Sequence, residues 1–279
     1  MLGLPEDLET SKINHYGVTS QSFQGSYKPE KNSIRTRVWR VMEELGISKF
    51  PRPVFGRIPN FVGAERAAER LASQPEFRNA ETVKVNPDSP QTMVRRLALL
   101  NGKALIMPTP RLKRGFILLD PEKIPRRLYF KASTIKGAFK YGKLCPLSEL
   151  PKVDLVVVGS VAVSRDGVRV GKGGGYSEIE YAVLRELGLI EEETPVLTTV
   201  HDVQIVEWAP LEPHDLVVDA IVTPSRILRV ERTHSRPGGI IWEKLSDEMI
   251  REMPVLSELG ALKGKVEGRP SSVHGMSEK

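Results

Sequence analysis

At 279 residues, with 40% hydrophobic and 27% charged side chains, the chain has the length and composition of a globular protein with one large core, alone or with extensions. No apolar run approaches the ~20 residues of a membrane-spanning helix, and MLGLPEDLETSKINHYG has neither a basic leader nor an apolar h-region, so neither a membrane nor a secretory signal is expected. The net charge of +6 is spread out instead of forming a Lys/Arg tract, and the lone Cys145 leaves no internal disulfide, so a cytoplasmic location and a packing role for that thiol are expected.

Residues 1–28 are polar and aperiodic and predict a flexible arm; residues 29–260 predict one α/β domain, and 261–279 a disordered tail. Asn32 or Ser33 is placed to cap a first helix with Ile34, Val38, Val41 and Leu45 as its apolar stripe and Gly46 as its end. After the Pro-rich PRPVFGRIPN, a second helix fits Gly63 to Ala72, with Ala64, Ala67, Ala68 and Leu71 inward. Ser89-Pro90 opens a third, faced by Met93, Leu97 and Leu100 and stopped at Asn101-Gly102. Four apolar runs then read as strands: ALIMP (104–108), DLVVVG (154–159), VLTTVH (196–201) and LVVDAIVTP (216–224). Their unbroken apolarity predicts strands covered on both faces, hence an open, mostly parallel sheet with helices on both sides. Residues 240–259 predict a last helical segment packed outside.

The most informative stretch is VRVGKGGGYSEIE (168–180), which follows a buried strand and the turn Arg165-Asp166-Gly167 and leads straight into a helix. Four glycines among five residues allow positive φ and close ligand approach, and exposed N–H groups beside a helix N-terminus favour a phosphate. Arg169 and Lys172 add fixed positive charge, and Ser177 with Glu180 has capping-box spacing. The string is neither a P-loop nor a Rossmann fingerprint, since Tyr176 stands where the third glycine belongs. A ligand-free flexible loop is the alternative.

VDLVVVGSVAVSRDGVRVGKGGGYSEIEY resembles the signature of the 5-formyltetrahydrofolate cyclo-ligase family, also called methenyltetrahydrofolate synthetases. The likeness is to the methenyltetrahydrofolate synthetase domain-containing and cyclo-ligase-like branch, and TVHDVQIVE, PHDLVVDAIVTPSRIL and RPGGIIWEKL carry it further, over roughly residues 31 to 245. It implies a cyclo-ligase-like α/β fold (NagB/RpiA/CoA-transferase-like) and ATP- and Mg2+-dependent cyclisation of 5-formyltetrahydrofolate to 5,10-methenyltetrahydrofolate, with release of ADP and phosphate. Residue by residue it implies that Arg169, Gly171, Lys172, Gly173, Gly174, Gly175 and Tyr176 form the nucleotide loop, with Lys172 and Arg169 catalytic. It places Lys31 and Arg35 on the ATP phosphates, Glu178 and Asp215 on magnesium, and Phe61, Glu65 and Tyr176 on the folate. The plainer alternatives are a solvated basic helix edge for Lys31 and Arg35, a helix-start charge for Glu178, a turn or cap for Asp215, and a core phenylalanine beside a helix start for Phe61 and Glu65.

Tyr176-Ser177-Glu178 replaces the family's Tyr-Tyr-Asp, losing one ring that would stack on a pterin. Phosphate binding is therefore better supported than folate binding. Two other functions stay open: the same ATP loop serving another substrate, for instance a thiamine-related one, and a non-catalytic nucleotide- or RNA-binding relative. No RNP-like aromatic-basic string is present, so a nucleic-acid partner is not expected; a monomer is. His201-Asp202 and His214-Asp215 lack a third firm ligand for a transition metal.

Overall fold

The computed structural model describes residues 30–263. The expected arm over 1–28 lies outside them, as do residues 264–279 of the tail expected over 261–279, whose first three residues instead belong to the last helix, which runs through Lys263. Among the described residues the helices are α1 (Lys31–Glu44), α2 (Ala64–Ala72), α3 (Pro75–Asn79), α4 (Thr92–Leu100), α5 (Tyr129–Ala132), α6 (Ile135–Tyr141), α7 (Tyr176–Glu186), α8 (Asp247–Glu252) and α9 (Pro254–Lys263). The strands are β1 (Thr82–Val85), β2 (Ala104–Pro108), β3 (Phe116–Leu119), β4 (Lys143–Cys145), β5 (Leu155–Val158), β6 (Ala162–Ser164), β7 (Arg169–Val170), β8 (Val196–Thr199), β9 (Ile205–Val206), β10 (Ala220–Val222) and β11 (Ile227–Arg229). No helix among the described residues is long and apolar enough to cross a membrane.

Eight strands form one sheet in the order β11-β10-β8-β5-β1-β2-β3-β4. Its centre, from β10 to β2, is parallel, and β11, β3 and β4 are antiparallel additions at the edges. The expected mostly parallel α/β sheet is thus present. Both faces are covered, and the period-two alternation of strand side chains shows how. Leu155 and Val157 enter the cluster under α2, α4 and α6, while Val156 and Val158 enter the opposite cluster with α7 and α9. A second sheet, β7-β6-β9, packs with α1 and Phe61 in a third cluster.

The chain leaves β1 for β2 on one side and later returns to β5 on the other side of β1. The carboxyl ends of β1 and β5 therefore flank a topological switch point, where open α/β sheets hold their ligands.

Several local expectations are corrected. Helix α1 starts after an extended Glu30 with no side-chain cap, and it buries Ile34, Val38, Trp39 and Met42 instead of Val41 and Leu45. In α4 the buried face is Val94, Arg95, Ala98 and Leu99, with Met93, Leu97 and Leu100 only partly covered. The run 216–224 is a strand only over Ala220–Val222. The last helical segment is not merely external, because Met253, Val255, Leu256 and Leu259 join the core under α9. The turn at Arg165-Asp166-Gly167 closes the β6–β7 hairpin, with Gly167 at φ +86°, as the sequence suggests. Cys145 is buried and free.

Candidate functional site

Past Val170 the backbone cannot continue as a strand, because Gly173 (φ +108°) and Gly175 lie in left-handed conformations. Gly171 has a different reason to lack a side chain: a Cβ there would meet the Arg169 guanidinium at 2.9 Å. Gly175 is the N-cap of α7. The expected capping box is absent, since Ser177 and Glu180 have distant partners. Asn86 Nδ2 donates to Ser177 Oγ (2.7 Å), and Glu180 takes the Lys84 ammonium (2.6 Å). None of the N–H groups of Lys172 to Gly175 has a protein acceptor among the described residues.

This loop walls a cavity of about 420 Å³ at the switch point. Asn86 to Ser89, which follow β1, form the facing wall; Lys31 and Arg35 enter from α1, and Glu212, His214 and Asp215 from the loop before β10. Of the residues the sequence singled out, Lys31, Arg35, Arg169, Gly171 to Tyr176, Glu178 and Asp215 are brought together here. Phe61 and Glu65 are not. Phe61 is fully buried, edge-on to His201 with ring centroids 6.1 Å apart, and Glu65 is half-exposed and paired with Lys49 at 2.8 Å. The Lys49 hydrogen bond holds the Glu65 carboxyl below its ordinary range.

The charges inside are largely paired with one another. Arg169 is buried; Nη1 donates to Gly159 O (2.7 Å), Nη2 donates to Glu178 Oε1, and its buried Nε has no partner among the described residues. Lys31 Nζ bonds both Asp215 oxygens (2.6 and 2.8 Å) and Glu212 Oε2 (2.7 Å). That bond holds the Glu212 carboxyl below the usual range. Arg35 donates Nε to Gly171 O (2.6 Å) and Nη1 to Asn32 Oδ1 (2.6 Å). Burial, and then the neighbouring Arg169 charge, push the Arg35 guanidinium down. Lys172 is only loosely held, 43% exposed with Nζ 3.7 Å from Asp88 Oδ1. Glu212, His214 and Asp215 have potential ligand atoms within 4.8 Å of one another, but the Lys31 ammonium already bridges the two carboxylates.

Sequence reasoning missed the facing wall. Lys84 lies in the central strand with no exposure and also bonds Asn86 Oδ1 (2.9 Å). Burial raises the pKa of its partner Glu180, and the Lys84 charge opposes that rise. Arg95, equally buried, donates to the carbonyls of Asn86, Asp88 and Ser133, and burial pushes its guanidinium down to about 10. The available signal was the β-branched TVKV running directly into Asn-Pro-Asp, a strand end followed by a turn.

The 5-formyltetrahydrofolate cyclo-ligase family model matches residues 27–224. The methenyltetrahydrofolate synthase domain-containing protein of Bos taurus is 45% identical over 233 residues, covering 82% of this chain and 61% of that protein. Its Homo sapiens counterpart is 41% identical over 235 residues, covering 83% and 61%. The chain thus spans about three-fifths of the length of these relatives. Among solved structures, the 5,10-methenyltetrahydrofolate synthetase of Aquifex aeolicus superposes with a TM-score of 0.46 at 21% identity, covering 74% of this chain and 95% of that one.

Proposed function

The chain belongs to the 5-formyltetrahydrofolate cyclo-ligase family, and from that premise we propose that it binds ATP in the glycine-loop cavity and cyclises 5-formyltetrahydrofolate to 5,10-methenyltetrahydrofolate. The observation that carries the nucleotide half is a row of uncommitted N–H groups at the switch point, faced by Lys31, Arg35 and Lys172. ATP, when bound, supplies the phosphoryl group that turns the formamide oxygen into a leaving group, so that the second amine closes the ring as phosphate departs.

The residues present have positioning and charge neutralisation to contribute, with no nucleophile required. Loop N–H groups hold phosphate oxygens. Lys172 and Arg35 neutralise their charge, Lys172 at little reorganisation cost because its ion pair to Asp88 is long and exposed. Glu178 and Asp215 are the hard oxygen donors suited to magnesium. Each accepts hydrogen bonds from a cation, Glu178 from Arg169 and Asp215 from Lys31, so a bound magnesium would take the place of a positive partner these carboxylates already have. On the facing wall, Glu180 lines the cavity with Oε1 outside the Lys84 bond, a carboxylate acceptor for an N–H on the substrate.

The test is incubation with ATP, magnesium and 5-formyltetrahydrofolate while the methenyl chromophore is followed. Turnover that disappears in Lys172→Ala agrees with the proposal. ATP binding without turnover means that the same loop serves another substrate. If neither ATP nor ADP protects the protein from thermal unfolding, the nucleotide assignment is wrong.

A further inference from the structure

Residues 111–143 hold ten Lys and Arg against two Asp and Glu, a net +8 in a chain whose total is +6, so the rest of the chain is slightly acidic. All ten cations are exposed. Among the described residues only Lys123 and Lys143 have a carboxylate within ion-pair distance, from Asp120 and Glu149. No more than two of the ten are adjacent in sequence, so they form no tract there. The fold is what gathers them.

Helices α5 and α6 are pressed together at Gly137, where a Cβ would fall 1.7 Å from Lys131 O. Because α6 buries Gly137 and Ala138, it turns Ile135 with Phe139, and Lys136 with Lys140, outward as two i,i+4 rows. Phe130 and Lys131 of α5 are exposed beside them, with Arg126 and Arg127 one turn earlier. Phe130 is 58% exposed and Phe139 37%. Each ring lies under a guanidinium: that of Arg96 from α4 is 5.5 Å from the Phe130 centroid, and that of Arg114 is 5.4 Å from the Phe139 centroid. Single exposed apolar residues are ordinary, but two cation-covered rings within an unpaired basic field are not. Of this surface only Arg111 and Ile135, at its edge, also line the glycine-loop cavity.

Charge alone suits any polyanion, and the rings decide among them. An acidic protein segment would use the cations and leave both rings idle. An anionic membrane would take the rings into its apolar layer, but the guanidinium over each would have to lose its water on the way. Unpaired bases stack on aromatic rings and on guanidinium planes alike, while the phosphates between them meet the flanking Lys and Arg. A duplex keeps its base faces covered and could use only the charges. We propose that the α5–α6 face binds single-stranded nucleic acid, a role separate from the reaction above and independent of it.

The experiment follows the fluorescence anisotropy of a labelled oligouridylate of about twenty nucleotides, alone or annealed to its complement, with the full chain in about 0.1 M salt. The single strand should bind at least about tenfold more tightly than the duplex. Phe130→Ala with Phe139→Ala should weaken the single strand by about tenfold or more, the scale of one or two lost stacks, with the salt dependence unchanged. Lys136→Gln with Lys140→Gln should instead lower the slope of log affinity against log salt by about 1.4, from ~0.7 per lost phosphate contact. Thermal unfolding of each variant checks that the helices stay folded, and the strand preference of the unsubstituted protein is a test that needs no variant. Equal binding of strand and duplex overturns the proposal, as does an unchanged affinity in the ring variant, because the surface is then only a basic field. Absence of binding overturns it outright. Sedimentation with phosphatidylserine vesicles that is lost in the ring variant, without a preference for the single strand, would make the face a membrane contact instead.

Discussion

Residues 86–89 and 171–175 face each other across one cavity, yet their backbones are anchored in opposite ways. The carbonyls of Asn86 and Asp88 are taken by Arg95, the Asn86 N–H by Val157 O (3.1 Å), and the Asn86 side chain by Lys84 and Ser177. Across the gap, Lys172 to Gly175 donate no backbone hydrogen bond to protein among the described residues, and Arg35 takes one carbonyl, that of Gly171. A wall whose polar groups are satisfied internally holds its shape without a ligand, whereas one with free donors is completed only by an acceptor from outside. The two loops divide the labour: one shapes the cavity, and the other binds what enters it.

The sharpest way to break that division is at the buried ion pair. Lys84→Met strands Glu180 in the core and should cost about 3–5 kcal/mol of stability, whereas Lys84→Met with Glu180→Leu should recover most of it. Urea unfolding measures both. A single-variant loss below about 1 kcal/mol would mean that Glu180 is solvated and the wall is not closed. On the opposite loop the pattern should invert. Lys172→Ala should lower turnover by roughly a hundredfold, typical of one lost charge stabiliser, while shifting stability by under about 0.5 kcal/mol, as exposed substitutions do. A large loss of stability there would make Lys172 a structural residue.

The same contrast explains what could be read from the sequence. The glycine loop was legible because its determinants are contiguous: a strand, a turn, four glycines and a helix start within about twenty residues. The parallel sheet core was legible for the same reason, in runs such as LVVV and VLTT. The facing wall was not, because its logic is long-range. Lys84 and Glu180 are 96 residues apart and each resembles an ordinary surface charge until β1 is placed at the centre of the sheet. Local spacing misled at Ser177 and Glu180, where a motif for capping is used for tertiary bonds. It misled again at Phe61 and Glu65, whose helix start belongs to the core beside β6 and not to the cavity. The short antiparallel additions β3, β4 and β11 have no strong periodic signal, being three or four residues each.

A smaller effect should follow from changing the loop's backbone without changing its charges. Gly173 has φ +108°, and a Cβ there would stand 3.6 Å from the Arg35 guanidinium, an ordinary contact. Gly173→Ala therefore has room for its methyl but not the right conformation, and should cost about 1–2 kcal/mol, either in stability or in ATP affinity as the loop relaxes to another shape. Calorimetry with ATP alongside thermal unfolding separates the two. If both are unchanged, the left-handed turn is not needed for phosphate capture.

The smallest effect should come from a titration that touches neither loop. His201 follows β8, and its Nδ1 accepts the Val203 N–H at 3.3 Å, capping the short turn that leads into β9. Burial holds its pKa below the ordinary 6.5, with Asp202 opposing the shift. For a base whose folded pKa is depressed, the neutral form belongs to the folded state; the stability it contributes is present above the unfolded pKa and lost as pH falls through the lower folded value. Protonation of Nδ1 also removes the acceptor for Val203. A cap is worth about 1 kcal/mol and less where solvent reaches it, so the melting temperature should fall modestly as the pH drops below the ordinary histidine pKa, a window above the carboxylate range. His201→Asn keeps an acceptor and removes the titration, so its melting curve should be flatter across that window. An equal slope in the variant would assign the pH dependence to another group. Because His201 contacts Phe61 in the core and lies away from the cavity, turnover corrected for the folded fraction should not follow this titration.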